Sequence, residues 1–258
     1  MKPAILVTYG LMCLSILSHA DELDPNATVS YFKQQIHAKT TNSEAPHAPF
    51  PRVDSDLADF DKTVAKMQDE FAQIPSDPHD KDWVKQKLQR MFDVDQFWRK
   101  ADIPFQHKYS KDETEYGRKQ FVSRFQAIDA ANTNDLKELL KIYGWFKISE
   151  FGKSSDQNAW LLVQHADQDV AFQKEVLQKL EALHPEAETS PKNYAYLFDR
   201  VASNEKRPQR YGTQGRCVGP GKWEPHTIEN PDRVEELRKA VGLDPLEAYK
   251  KRFIDTCH

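Results

Sequence analysis

The chain has 258 residues, 39% of them hydrophobic, and a formal net charge of −4. That length and apolar content suffice for one large domain with a substantial core. A mildly acidic balance with interspersed charges lacks the basic footprint that nucleic-acid binding needs, and it reads most charges as solvated helix faces.

Residues 1–20 differ in kind from the rest. Lys2 gives a positive start, Ala4 to Leu17 are mostly apolar, and Ser18-His19-Ala20 places small residues where signal peptidase reads. This layout predicts a cleavable secretory signal, and the apolar stretch is too short to span a bilayer comfortably. A lipid anchor at Cys13 is disfavoured, because Met12 is not the small residue that precedes a lipidated cysteine. No other segment approaches membrane length. The mature chain is expected to be soluble, periplasmic or secreted, with no stable membrane insertion after signal cleavage.

Residues 21–54 read as a linker arm. Thr40-Thr41-Asn42-Ser43 is polar, and Pro46, Pro49 and Pro51 interrupt regular structure. His37 and His47 lie there without a third partner and read as exposed linker histidines.

From Ser55 the pattern turns helical. Leu57, Phe60, Val64, Met67 and Phe71 form one apolar helix face, ended by Pro75 and Pro78. Trp83, Leu88, Met91, Phe92 and Trp98 mark a second helix, and Phe121, Val122, Phe125 and Ile128 a third. Leu136, Leu139 and Leu140 mark a shorter fourth, with Asp135 near its start, where negative charge suits the helix dipole. Gly144-Trp145 breaks the periodicity. Ser154-Ser155 is expected to cap a helix carrying Trp160, Leu161 and Val163. Asp167 is expected to cap the next, which carries Val170, Val176, Leu177 and Leu180. Ser190-Pro191 opens a helix with Tyr194, Leu197, Phe198 and Val201.

Residues 207–228 hold too many glycines and prolines for a helix, which predicts a loop or small hairpin. Asn230-Pro231 and Gly242 bound one closing helix. Asp244-Pro245 opens another, with Glu247 at the capping-box position. The expected fold is mainly α: a single multi-helix domain over residues 55–258 with a Gly/Pro-rich loop or β-hairpin insertion near 207–228. Cys217 and Cys257 remain after signal removal. In an oxidising compartment an even pair reads as one disulfide, two buried free thiols being the alternative.

Four segments carry polar residues inside apolar patterns. In Asp95-Gln96-Phe97-Trp98-Arg99, Asp95 and Arg99 share one helix face, as an ordinary intrahelical ion pair also would. Trp160 to Asp167 ends a strongly apolar helix on Gln164 and His165, so at least one of these is expected to be buried with a partner. A core histidine bonded to backbone is the plainer alternative. Tyr194 to Arg200 runs from apolar residues straight into Asp199-Arg200. Arg207 to Gln214 alternates polar and aromatic residues, including Gln209, Tyr211 and Gln214, as a strand lining a cleft would.

Together these segments resemble an uncharacterised bacterial family, the domain-of-unknown-function family numbered 6624. The resemblance rests on Asp95-Gln96 with Arg99, Gly144-Trp145, and Trp160 with Gln164-His165-Ala166-Asp167. It continues in Tyr196-Leu197 with Asp199-Arg200, in Pro208-Gln209 with Tyr211-Gly212-Thr213-Gln214, and in the ending Gly242-Leu243, Pro245-Leu246 and Tyr249. It covers roughly residues 80–252. Phe146 stands where the family usually continues Gly-Trp with Pro. The resemblance implies no activity.

If the four segments converge, His165 is the one side chain among them whose ordinary pKa lies near neutrality. Oriented by Asp95 or Asp199, it is the candidate general acid or base. Arg99 and Arg200 are candidates for holding a carboxylate or phosphate. Gln96, Gln164, Gln209, Tyr211 and Gln214 are candidates for a substrate's polar groups. The expectation is an exported hydrolase or transferase acting on a polar or anionic small molecule or peptide. A non-catalytic module that binds a ligand or protein would use the same residues, as would a buried structural network. No zincin, nucleophile-elbow, Walker or dinucleotide motif is present. His165 and Asp167 diverge on a helix instead of chelating, so neither metal nor cofactor is expected.

Overall fold

The computed structural model describes residues 50–100 and 109–257, without the Lys100 side chain. The expected signal, most of the linker arm, His37 and His47 lie outside the described residues. Among the described residues there are eight α-helices: α1 (Pro51–Ala72), α2 (Lys81–Lys100), α3 (Lys111–Tyr143), α4 (Ile148–Gln164), α5 (Val170–Leu183), α6 (Pro191–Asn204), α7 (Val234–Ala240) and α8 (Leu246–Lys250). One hairpin, β1 (Gly215–Gly219) and β2 (Lys222–Pro225), occupies the Gly/Pro-rich stretch. The fold is mainly α and a single domain. Among the described residues no helix is long and apolar enough to cross a membrane.

Several helix boundaries differ from the sequence reading. Helix α1 begins at Pro51, inside the expected arm, because proline suits the first helical turn, where its missing N–H is an orphan anyway. The third and fourth predicted helices are one 33-residue helix, α3. No glycine or proline separates Ile128 from Leu136, so the gap between two apolar runs is a polar patch on a continuous helix. Asp135 therefore lies within α3, paired with Lys87 Nζ at 2.5 Å.

The start of the Trp160 segment is set by a kink at Gly152 (φ 80°, ψ 163°), not by a cap at Ser154-Ser155. Only glycine takes that backbone conformation without strain. Asp169, not Asp167, caps α5, accepting the Phe172 N–H at 2.9 Å. Ser190 stands at the start of α6, but its side chain makes no cap bond. Pro245 precedes α8, and Glu247 forms no capping box. The Leu246 N–H instead donates to Glu235 Oε1 at 2.9 Å.

The apolar side chains form two main clusters. Val84, Leu88 and Met91 of α2 join Leu136, Leu139 and Leu140 of α3 and the inner faces of α4, α5 and α6. Val53, Leu57 and Val64 of α1 join Val94 and Trp98 of α2 and Phe121 and Ile128 of α3. Burying each such side chain is worth about 1.5–3 kcal/mol. Helices α2 and α3 thus run through both clusters. The change of partner falls at Met91–Val94 on one helix and Ile128–Leu136 on the other.

A third, smaller cluster holds Trp223, Tyr249 and Cys257. In the antiparallel hairpin Cys217 stands opposite Trp223, and Gly215 opposite Pro225. A Cβ at Gly215 would meet the Trp223 ring at 2.3 Å, so only glycine fits there. Cys217 and Cys257 form a disulfide across 40 residues of chain, tying β1 to the C-terminal turn. Closing a loop of that length stabilises the fold by about 4 kcal/mol in the chain-entropy model. Cys257→Ser is expected to lower the melting temperature by about 10 °C, read by circular dichroism, and reduction of the wild type should match it.

Candidate functional site

The polar patches on α2 and α3, where the two cores meet, face the C-terminal end of α4. Asp95 and Arg99 are one turn apart on α2. The Asp95 carboxylate is 1% exposed. It accepts from Arg99 Nε (2.9 Å, at Oδ1) and Gln96 Nε2 (2.9 Å, at Oδ2), and it holds His165 Nδ1 at 2.9 Å. Arg99 continues to Asp129 of α3, with Nη2 lying 2.8 and 3.0 Å from its two carboxylate oxygens. Its guanidinium lies over the Phe125 ring, 4.0 Å from the centroid. The cluster thus joins α2 to α3 through Arg99 and to the end of α4 through Asp95.

Burial and charge set the protonation states. Burial raises the Asp95 pKa, but the charges of His165 and Arg99 and the bonds from His165 and Gln96 outweigh it. They hold the carboxyl well below the usual range. Burial lowers the His165 pKa, and Asp95 only partly offsets that, with Arg99 and Arg200 pushing the same way as burial. At neutral pH the pair is a carboxylate beside a neutral imidazole, so Nδ1–H donates to Asp95 and Nε2 carries a lone pair. Nε2 has no partner among the described residues and is not among the sealed polar atoms, so it reaches solvent. Asp129 is pushed up to about 7, mainly by burial, with Asp95 and Asp167 adding to it and Arg99 opposing.

Arg200 of α6 approaches the same place, near enough for its charge to act on His165. Its nearest acid is Asp167, whose Oδ2 is 3.6 Å from Nη1. Asp167 Oδ1 is held by Gln173 Nε2 (3.2 Å) and Asn204 Nδ2 (3.0 Å). Gln164 links α4 to α6 by a long bond to the Tyr196 carbonyl (3.5 Å), and its Oε1 is buried without a partner.

The other predicted residues form a separate knot. Asp199 is fully buried and accepts the N–H groups of Arg210, Tyr211 and Thr213 and the Thr213 hydroxyl, at 2.8–3.2 Å. Successive backbone N–H groups here wrap a carboxylate as they would a bound anion. Burial raises the Asp199 pKa, and these bonds pull it back. Gln209 spends its amide on the Gln214 N–H (2.9 Å) and on the Gln214 and His226 carbonyls (2.7 and 3.0 Å). The Gln214 amide donates to Thr213 Oγ1 (3.1 Å), and Tyr211 is buried against Tyr194 and Phe198. Asp199 therefore does not orient His165. The segment from Arg207 to Gln214 lines no cleft as a strand, since β1 begins only at Gly215.

Of the predicted site residues, the structure gathers Asp95, Gln96, Arg99, Gln164, His165 and Arg200, and sets Asp199, Gln209, Tyr211 and Gln214 apart. Sequence reading missed Asp129, whose neighbours give no sign of burial. It also missed Asp156, 1% exposed, which accepts from Trp145 Nε1 (2.8 Å), Thr189 Oγ1 (2.6 Å), the Ser190 N–H (3.1 Å) and Asn193 Nδ2 (2.9 Å). A cleft of about 670 Å³ lies beside Asp156, lined also by Gln89, Phe92, Lys153 and His184, and none of the predicted residues borders it. Among the described residues no three His, Cys, Asp or Glu side chains gather in metal-holding geometry.

Two measurements check this division. Asp199→Ala leaves three buried N–H groups without acceptors, at about 1–3 kcal/mol each, so urea denaturation should show a loss of at least about 3 kcal/mol. The His165 proton resonances should stay in place. Asp129 holds its proton in the folded state from its ordinary 3.8 up to about 7. Its contribution to stability is therefore present at low pH and lost as pH rises across that window. The stability difference between wild type and Asp129→Asn, measured at about pH 5 and pH 8, should shift against the wild type at the higher pH.

No curated protein and no solved structure matches the chain. Residues 84–257 match the model of a family of unknown function (DUF6624), a span that includes every residue of both networks. That span is well over half of the chain, and the protein belongs to this family.

Proposed function

We propose that this protein is an exported hydrolase or transferase that acts on a polar small molecule or peptide, with His165 as its general base. One observation carries the reading: the imidazole is anchored at Nδ1 by a buried carboxylate and unpartnered at Nε2, which reaches solvent. An imidazole held in this way has a fixed tautomer and one free lone pair. The disulfide and the short apolar N-terminal segment support export.

In the proposed step Nε2 takes a proton from a water or hydroxyl nucleophile as its oxygen bonds to the electrophilic carbon of the substrate. The imidazolium then returns that proton to the leaving group as its bond to carbon breaks. Asp95 stays ionised throughout and acts as a positioning residue, holding the ring and stabilising the transient cation. Arg99 keeps Asp95 ionised and is itself occupied by the two aspartates, so it has little left for substrate.

The test is incubation of the mature protein with cell-wall muropeptides and small peptides, with products followed by mass spectrometry. Turnover is expected in the wild type and about 10²–10⁴-fold less in His165→Ala, which should stay folded by circular dichroism at a somewhat lower melting temperature because the buried Asp95 loses one donor. The rate should fall as pH drops through a midpoint below 6.5, because the base must be neutral and its pKa is lowered. Asp95→Asn should reduce the rate and displace that midpoint. Turnover that is indifferent to His165 would end the catalytic reading. Ligand uptake without turnover would point instead to the non-catalytic binding module, which Arg200's unmet donors favour.

A further inference from the structure

Among the described residues Arg200 shares with Arg238 one sealed donor without a partner, Nη2 in Arg238, but differs from it and from Arg99 in making no side-chain hydrogen bond at all. Arg99 donates to two carboxylates, and Arg238, fully buried, donates to the Tyr211 and Asp244 carbonyls at 2.5 and 2.7 Å. The Arg200 side chain is 10% exposed, yet it makes no hydrogen bond among the described residues. Its Nε is sealed from solvent without a partner, while Nη1 and Nη2 are not sealed and so reach solvent. A guanidinium stripped of most of its water, with its Nε–H donor unmet and its other donors left to water, is costly, and such a group is ordinarily compensated by an anion.

The nearest acid, Asp167, supplies charge but no hydrogen bond. Asp167 stands 3.6 Å away, beyond hydrogen-bond reach, because its other oxygen is tied to Gln173 and Asn204. The loose pairing leaves the tips of Arg200 without a hydrogen-bonded partner, near enough to His165 for the charge to act there.

We propose that Arg200 is the anchor for a carboxylate group of the ligand, gripped bidentately by its solvent-reaching nitrogens beside His165. This deepens the reading above by naming the substrate class, and it rests on that reading only in placing the ligand at His165. The guanidinium fork matches the two oxygens of a carboxylate. Charge selects a monoanion. With Asp129 holding its proton up to about pH 7, the ionised Asp95 and Asp167 balance Arg99 and Arg200, so a carboxylate adds one negative charge to the cluster where a dianionic phosphate adds two. A neutral amide would leave the charge of Arg200 uncompensated.

The experiment is a titration of the full mature protein with sodium acetate at constant ionic strength, followed by the His165 Cε1–H resonance. Acetamide and inorganic phosphate serve as comparison probes. Acetate is expected to give a saturable shift in the millimolar range, with acetamide and phosphate binding more weakly. Arg200→Gln should weaken acetate about tenfold or more, as the loss of charge-assisted hydrogen bonds implies. Arg200→Lys, which keeps the charge but not the fork, should weaken it by a smaller factor. If Arg200→Gln fails to fold, the lysine variant and the wild-type ranking of the three probes decide the matter. Equal binding of acetamide, tighter binding of phosphate, or acetate affinity unchanged in the arginine variants would overturn the proposal. Thermal shift by acetate in His165→Ala separates the two readings. A retained shift upholds the Arg200 anchor even where catalysis by His165 has failed.

Discussion

Asp95 holds its negative charge at 1% exposure, and that charge constrains everything around it. A carboxylate so far from water survives ionised only with cations and donors in contact, and here they come from its own helix and from α4. Arg99 supplies the compensating charge and passes on to Asp129 of α3. His165 supplies the remaining donor and so acquires a fixed tautomer. The imidazole is thereby poised by the requirements of the buried acid.

The position of this cluster follows from the packing. Helices α2 and α3 each serve two hydrophobic cores, and between the apolar stretches that feed them lies a turn or two of polar sequence. Such a seam between cores is where charged groups can be buried without displacing apolar contacts. It is also where one face of the cluster can remain open, because neither core closes over it. His165 and Arg200, each with 10% of its side chain exposed, lie at that seam.

Two other buried aspartates show what the same residue does in different surroundings. Asp156 locks the Trp145 turn to the start of α6, and Asp199 ties α6 to the loop before the hairpin. Both are surrounded by N–H and O–H donors and have no cation in contact. These closed networks specify geometry and leave no group free to act. Asp129 shares its cation with Asp95, and loss of water around it, aided by the Asp95 charge and opposed by Arg99, retains its proton to about pH 7. Only the Asp95 network includes a titratable ring with an unused nitrogen.

Much of this was legible in the sequence. Spacings of three and four residues in α1, α2, α5 and α6 identified the helices, because each buries one face against a core. Asp95, Arg99 and His165 stood out as polar residues set among apolar neighbours, and the cysteine pair announced its own bridge. Continuity of α3 was not legible, since a polar patch inside a helix and a loop between helices look alike in hydrophobicity. Nor was the role of Asp129, which is 30 residues from Arg99 in the chain and joined to it only by packing. Asp199 and His165 follow the same pattern of a polar residue ending an apolar run, yet one is sealed by backbone and the other opens to solvent. Local pattern determines which residues must be buried and what partners their charges require. Which partner arrives, and which face stays open, depends on how separate helices cross, and that is decided only when the whole chain has packed.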